Sequence, residues 1–232
     1  SLSRISLSSG GAYVHNSLFQ NLAGSSAGGA IYCNSVTVNV LIEETSFIYC
    51  TTSSGRGGAF YLYKISECII TKVCGSRCRA TSDHCMFGWA CLTDSYDKRN
   101  SFFHSSVCNT FGNSYWHTTL HDYGKVLFEF LNISNNQCDS QSGFQSYRQT
   151  VSNSNEFGFS IKYSSLTNNK ATSYICFRIY DGGTSCIKQI QSCNLINNTS
   201  VSSSLYGVIY SQGKLFINDS TILGNTGAYQ VC

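Results

Sequence analysis

The stretch SSAGGAIYCNS, residues 25–35, returns as SSGRGGAFYLY at residues 53–63. Both copies read Ser-Ser, one or two spacers, Gly-Gly-Ala, then Ile or Phe, then Tyr. Gly28-Gly29 and Gly57-Gly58 stand 29 residues apart. A repeat of that length, if it continues, sets the architecture before any single residue is interpreted. A third Gly-Gly-Ala-Tyr at Gly10-Gly11 opens the series.

A second landmark extends the period along the chain. An apolar residue, two spacers and then Asn or Cys recur at Leu18–Asn21, Phe47–Cys50, Ile133–Asn136, Leu166–Asn169, Leu195–Asn198 and Ile222–Asn225. Cys78 and Asn109 fill the gap as weaker cases. Successive landmarks are 27 to 33 residues apart and average about 29. Between them lie short runs such as VTVNVLIEE, CIITKV, KVLFEFL, FGFSIKY and KLFIND. They are of strand length, rich in β-branched and aromatic residues, and separated by Ser, Asn and Gly. No segment of helical length carries a 3.6-residue apolar period.

Several short strands per repeat describe a parallel β-helix in which each repeat is one coil and equivalent strands stack at about 4.8 Å. Eight landmarks then make a rod of about 40 Å. A β-propeller requires a longer repeat and antiparallel hairpins. The fold class expected is all-β, a single parallel β-helix domain over residues 1–232. The irregular part, residues 79–132, marks a coil bearing an insertion, which on a solenoid is either a binding face or a merely decorative loop. The Gly pairs mark tight turns or positive φ. The Asn residues form a ladder from coil to coil, with Cys50 and Cys78 as small buried substitutes. For that cysteine pair, buried thiols and a disulfide between neighbouring coils both remain open.

Composition agrees with an extended strand protein. The chain has no proline, 14 Phe, 15 Tyr, 12% charged residues and a net charge of +3. Proline is excluded from sheet interiors, and no basic cluster offers a nucleic-acid surface. The sequence holds 13 cysteines, a number that points to an oxidising compartment, metal or buried thiols. Glycosylation sequons fall at Asn132, Asn197, Asn198 and Asn218 and favour the first. No stretch is apolar enough to span a bilayer. The chain begins with Ser, and we expect a fragment of a longer protein whose membrane attachment, if any, lies in an anchor outside this segment.

The motifs Gly10-Gly11-Ala12-Tyr13, Gly28-Gly29-Ala30-Ile31 and Gly57-Gly58-Ala59-Phe60, alternating with the Asn landmarks, resemble the repeat of chlamydial polymorphic outer-membrane proteins. They are also similar to large cysteine-containing surface β-helix proteins of trichomonad parasites. The resemblance implies a right-handed, pectate-lyase-like solenoid, an extracellular or cell-surface location and a role in adhesion or display, with no catalytic residue to carry over.

Enzymatic chemistry finds little support in the residues. Glycan cleavage on a β-helix needs carboxylates converging on one face, bound to Ca²⁺ or acting as acid and base. Glu43-Glu44, if both lie in a strand, point to opposite faces; Asp94 and Asp97 sit in the loop region. His117-x-x-x-His121-Asp122 has metal-ligand spacing only on a helix. Cys68, Cys74, Cys78, Cys85 and Cys91 with His84 match no zinc-ribbon spacing. No cofactor and no metal are expected. The partners expected are a host-cell protein or glycan, met by Tyr32, Tyr61, Tyr63, Tyr206 and Tyr210, or copies of the chain itself. An extracellular filament subunit and a polysaccharide-active enzyme are the alternative functions.

Overall fold

The computed structural model describes residues 4–81, 85–94, 96–111, 117–138, 143–149, 151–153, 155–172, 176–180, 186–200 and 207–227. The chain is an all-β solenoid of about seven turns, each of about 28 residues. Three eight-stranded sheets run its length, and every strand pair in them is parallel. The first sheet holds Ile5–Leu7, Ile31–Asn34, Phe60–Ile65, Gly88–Leu92, Thr119–Asp122, Phe144–Tyr147, Phe177–Tyr180 and Ile209–Ser211. The second begins at Gly11–His15 and ends at Leu215–Asn218; the third begins at Leu18–Gln20 and ends at Thr221–Leu223.

Short strands alternate one side chain in and one out, and the inward positions of the three sheets meet in one core. Phe47, Phe60, Phe87, Phe102, Phe128, Phe159 and Phe177 are fully buried there. Successive coils exchange large for small. Phe19 and Phe47 stack at 5.2 Å. The next residue of that column is Gly75, whose place is filled by the ring of Phe87, the residue just before the Gly88–Leu92 strand. Close packing of this kind makes each core position answer to the coil beside it.

The Gly-Gly pairs of the opening stretch have two different duties. Gly28 and Gly57 have φ of +72° and +70°, a region only glycine enters freely. Gly29 and Gly58 are there for space: a Cβ on Gly29 would meet Gly58 O at 2.1 Å, and one on Gly58 would meet Arg79 N at 2.5 Å. The third pair is different. Gly11 is in register with Asn39 and opens the second sheet, and a Cβ on either Gly10 or Gly11 would touch nothing. Gly10-Gly11 is therefore not a copy of Gly28-Gly29, but a similar string at another corner.

The second and third sheets join at a sharp corner made by one residue of positive φ per coil: Asn16, Glu44, Lys72, His104, Phe130, Tyr163, Ser192 and Asp219, all between 47° and 54°. The third sheet ends in a second such column: Asn21, Tyr49, Arg77, Asn109, Asn135, Asn168 and Asn197, between 51° and 56°, then Gly224. The residue after it points inward and carries the ladder. Asn136 Nδ2 donates to Asn169 Oδ1 at 3.1 Å, Asn169 Nδ2 to Asn198 Oδ1 at 2.9 Å and Asn198 Nδ2 to Asn225 Oδ1 at 2.9 Å. Each amide also donates to a backbone carbonyl of the coil before: Val107, Ile133 and Leu166. Cys50 and Cys78 stand in the same column and make the same kind of bond with a thiol, to Phe19 O and Phe47 O at 3.4 Å. Asn21 and Asn109 are corrected by this register. They occupy the turn column one residue earlier, and Leu22 and Thr110 take the ladder positions. Thr110 Oγ1 donates to Asn136 Oδ1 at 2.8 Å.

A second polar column lies after the corner. Thr45, Ser105, Ser164 and Ser220 each donate a hydroxyl to the carbonyl two residues back, between 2.6 and 2.8 Å. The backbone N–H groups of Val73, Leu131 and Cys193 donate to the hydroxyls of Ser105, Ser164 and Ser220.

The strands of residues 79–132 keep the common register with their neighbours except for a one-residue shift after Cys91, where Leu92 pairs with Ile65. Added length is concentrated where Leu92 of the first sheet is followed by Arg99 of the second, against Ile65 followed by Glu67 one coil earlier. Asp97 there accepts a hydrogen bond from the backbone N–H of Ser152 at 3.1 Å.

Candidate functional site

The outer face of the first sheet carries two rows of side chains. Register puts Tyr32, Tyr61, Trp89, Leu120, Gln145, Arg178 and Tyr210 in one row, and Asn34, Tyr63, Cys91, Asp122, Tyr147 and Tyr180 in the other. Parallel pairing without slippage makes like stack on like. Tyr32 and Tyr61 stack at 5.6 Å, and Tyr147 and Tyr180 at 4.8 Å. Trp89 stands edge-on to Tyr61 at 5.3 Å. Cations lie over the rings: Arg56 is 4.3 Å from the Trp89 centroid, Arg4 5.1 Å from Tyr32, and Arg148 5.0 Å from Tyr147. Such contacts are worth about 0.5–1 kcal/mol when exposed and more when desolvated.

At the centre of the face, Trp89 Nε1 donates to Asp122 Oδ2 at 3.1 Å. Asp122 is 7% exposed and its Oδ1 has no hydrogen-bond partner. Burial drives its pKa up to about 7, against the pull of the Trp89 hydrogen bond and of Arg148 and Arg56. Cys91, its neighbour one coil back, has its thiol pushed up to about 12 by burial and by Asp122. Cys85, Trp89, Cys91 and Leu120 form a small apolar cluster outside the main core, flanked by Tyr61, Tyr63 and Tyr123. A groove of about 220 Å³ opens beside it, lined by Tyr63, Lys64, Cys91, Leu92, Thr93, Asp94 and Tyr123. The longer connection after Leu92 thus forms one wall of the groove.

Tyr32, Tyr61 and Tyr63 converge on this face, and Tyr210 ends its first row; Tyr206 lies outside the described residues. Trp89, Arg56 and Arg148 were not read from the sequence as site residues, and Asp122 entered only in the metal-ligand spacing with His117 and His121. Carrying the 29-residue spacing of Tyr32 and Tyr61 one coil further lands on Ala90, one residue past Trp89, so the interval alone points to this neighbourhood and only the register picks out the ring.

Other candidates disperse or change role. Among the sequons, Asn132, Asn197 and Asn218 are exposed. Asn198 is fully buried with its amide committed to the ladder, so it cannot accept a glycan in the folded chain. Cys68 faces the core from the second sheet, Cys74 faces solvent on the third, and Cys78 is in the ladder. All described cysteines are free thiols; the disulfide expectation is not supported, and the argument from cysteine count to an oxidising compartment loses that footing. His84 lies outside the described residues.

His121 and Asp122 are successive strand residues on opposite faces. His121 sits in the core, stacked on Phe102 at 5.9 Å, with Nδ1 2.8 Å from Asn100 Oδ1. No group of three His, Cys, Asp or Glu converges among the described residues. Glu43 and Glu44 are a correction of another kind. Positive φ at Glu44 turns its side chain to the same side as Glu43, and both meet Lys72, at 3.7 and 2.8 Å.

Comparison of the chain with family models, with curated proteins and with solved structures returned no match.

Proposed function

We propose that this solenoid is a non-catalytic binding protein, secreted or displayed at a cell surface, that holds a glycan against the outer face of its first sheet. The observation that carries this reading is the double row of aromatic side chains across successive coils, with a buried carboxylate at its centre. Half-exposed phenol rings offer apolar faces to sugar C–H groups and hydroxyls to their rims. Asp122, buried beside these rings, fixes the Trp89 indole through its Oδ2. Repetition along the axis favours many weak contacts over one deep pocket. Asp122 is the sole carboxylate buried among the described residues, whereas glycosidic cleavage uses a pair, which supports binding without turnover. The exposed sequons and the resemblance to surface β-helix repeats support the location.

A glycan array, followed by titration calorimetry on the best hit, tests the reading. Tyr61→Ala and Trp89→Phe should each weaken binding by about tenfold, a loss of about 1.4 kcal/mol. Full retention of affinity in both variants overturns it, as does release of reducing sugar during the titration.

A further inference from the structure

A different part of the surface offers chemistry that the first sheet does not. Beyond the third sheet, three consecutive coils contribute two residues each to a groove of about 320 Å³: Tyr49 and Thr51, Arg77 and Arg79, Asn109 and Phe111. We propose that this groove is a second ligand site, for a sulfated polysaccharide.

The argument begins with local backbone. Tyr49, Arg77 and Asn109 hold the positive-φ column at the end of the third sheet. The residue after each, Cys50, Cys78 and Thr110, is buried. Alternation then returns Thr51, Arg79 and Phe111 to the solvent side. Thr51 and Arg79 are in direct register. The stacking of coils therefore brings two guanidinium groups onto one coil with an aromatic ring on either side. Tyr49 is 43% exposed and Phe111 51% exposed.

Neither guanidinium has an acidic partner among the described residues, whose ion pairs lie elsewhere: Lys72 with Glu43 and Glu44, His15 with Glu44, Arg99 with Glu67, and Lys125 with Glu156. Arg77 lies over the Tyr49 ring, 5.2 Å from its centroid, and donates to its hydroxyl. That contact orients the guanidinium without cancelling its charge. A planar fork of donors suits an oxyanion with several oxygens. Thr51 and Asn109 add neutral hydrogen-bonding groups for hydroxyls, and the exposed rings add surface for sugar C–H faces. Oxyanion, hydroxyl and apolar face together describe a sulfated sugar chain better than an acidic peptide or a phosphate headgroup.

Fluorescence anisotropy at low ionic strength, with labelled dextran sulfate as probe, tests the site. Neutral dextran, polyglutamate and anionic phospholipid vesicles serve as competitors. Arg77→Gln with Arg79→Gln should weaken dextran sulfate binding by about tenfold. Lys98→Gln with Lys214→Gln removes the same charge at exposed positions away from this column and should change binding by less than about twofold. The single variant Arg79→Gln breaks no contact among the described residues and guards against a loss due to misfolding; it should give part of the effect. Tyr61→Ala, on the other face, should leave dextran sulfate binding intact, which separates this site from the first. Equal loss in the lysine pair, or competition by polyglutamate or vesicles as strong as by unlabelled dextran sulfate, overturns the proposal.

Discussion

The carboxamide oxygen of Asn198 accepts two hydrogen bonds from Asn169, one from its backbone N–H at 3.0 Å and one from its side-chain Nδ2 at 2.9 Å. Asn169 Oδ1 accepts the same two bonds from Asn136 in turn. A single buried side chain thus ties together three coils, and its removal orphans donors and acceptors on both neighbours.

Asn169→Ala should therefore cost more than an ordinary buried hydrogen bond. With several buried groups left unsatisfied at about 1–3 kcal/mol each, we expect a loss of about 3 kcal/mol or more in urea unfolding. Asn168→Ala removes no ladder bond but leaves a Cβ-bearing residue at positive φ without the carboxamide that tolerates it; it should cost about 1 kcal/mol.

The two duties of the glycines separate by mutation. Gly58→Ala places a Cβ 2.5 Å from Arg79 N and 2.6 Å from Met86 O, both backbone atoms. It should destabilise by more than about 3 kcal/mol or abolish folding, because backbone cannot move aside without breaking a ladder. Gly11→Ala meets nothing within 4 Å and has no positive φ, and should leave the thermal midpoint within error or raise it slightly.

Two neighbouring buried groups give the molecule opposing pH dependences. Burial lowers the pKa of His121 from 6.5 to about 3. The unfolded chain takes up that proton near 6.5 and the folded chain does not, so stability falls as pH drops through this interval. Burial raises the pKa of Asp122 from 3.8 to about 7. The folded chain keeps a proton that the unfolded chain releases, so stability is greatest below 3.8 and falls as pH rises toward 7. Each slope is at most about 1.4 kcal/mol per pH unit, and the two nearly cancel where they overlap. Asp122→Asn should expose a midpoint that falls on acidification, and His121→Gln one that falls as pH rises. Thermal melts in steps across this range check both signs.

Thiol reactivity should follow burial. Of the described cysteines, Cys74 is exposed, Cys108 is half-buried and the others are buried. Burial raises the Cys74 pKa with a smaller push from Cys108, so even Cys74 should alkylate slowly. Brief iodoacetamide treatment of the folded protein, read by peptide mass spectrometry, should label Cys74 first and Cys108 next. Cys50, Cys68, Cys78, Cys176 and Cys193 should appear only after denaturation without reductant. Labelling that requires reductant would mean these thiols are paired.

The period of about 29 residues was legible because coil packs on coil. A position that is buried, turned or hydrogen-bonded in one coil presents the same demand to the next, so residue types recur at a fixed interval. That recurrence, with strand-length runs between, was enough for the parallel solenoid, and stacked tyrosines such as Tyr32 and Tyr61 follow from the same logic. What recurrence could not carry was position to within one residue. Coil length varies with each connection, and a mean interval cannot tell the turn column of Asn21 and Asn109 from the ladder column of Cys50 and Asn136. It cannot tell the corner of Gly10-Gly11 from that of Gly28-Gly29. Only the hydrogen-bonded register resolves them, because a one-residue shift turns a side chain from solvent to core. Tertiary structure alone also decided where the chemistry lies. Trp89 and Asp122 meet because their coils are adjacent, 33 residues apart along the chain. Glu43 and Glu44 share Lys72 because positive φ ends the alternation that a strand would impose.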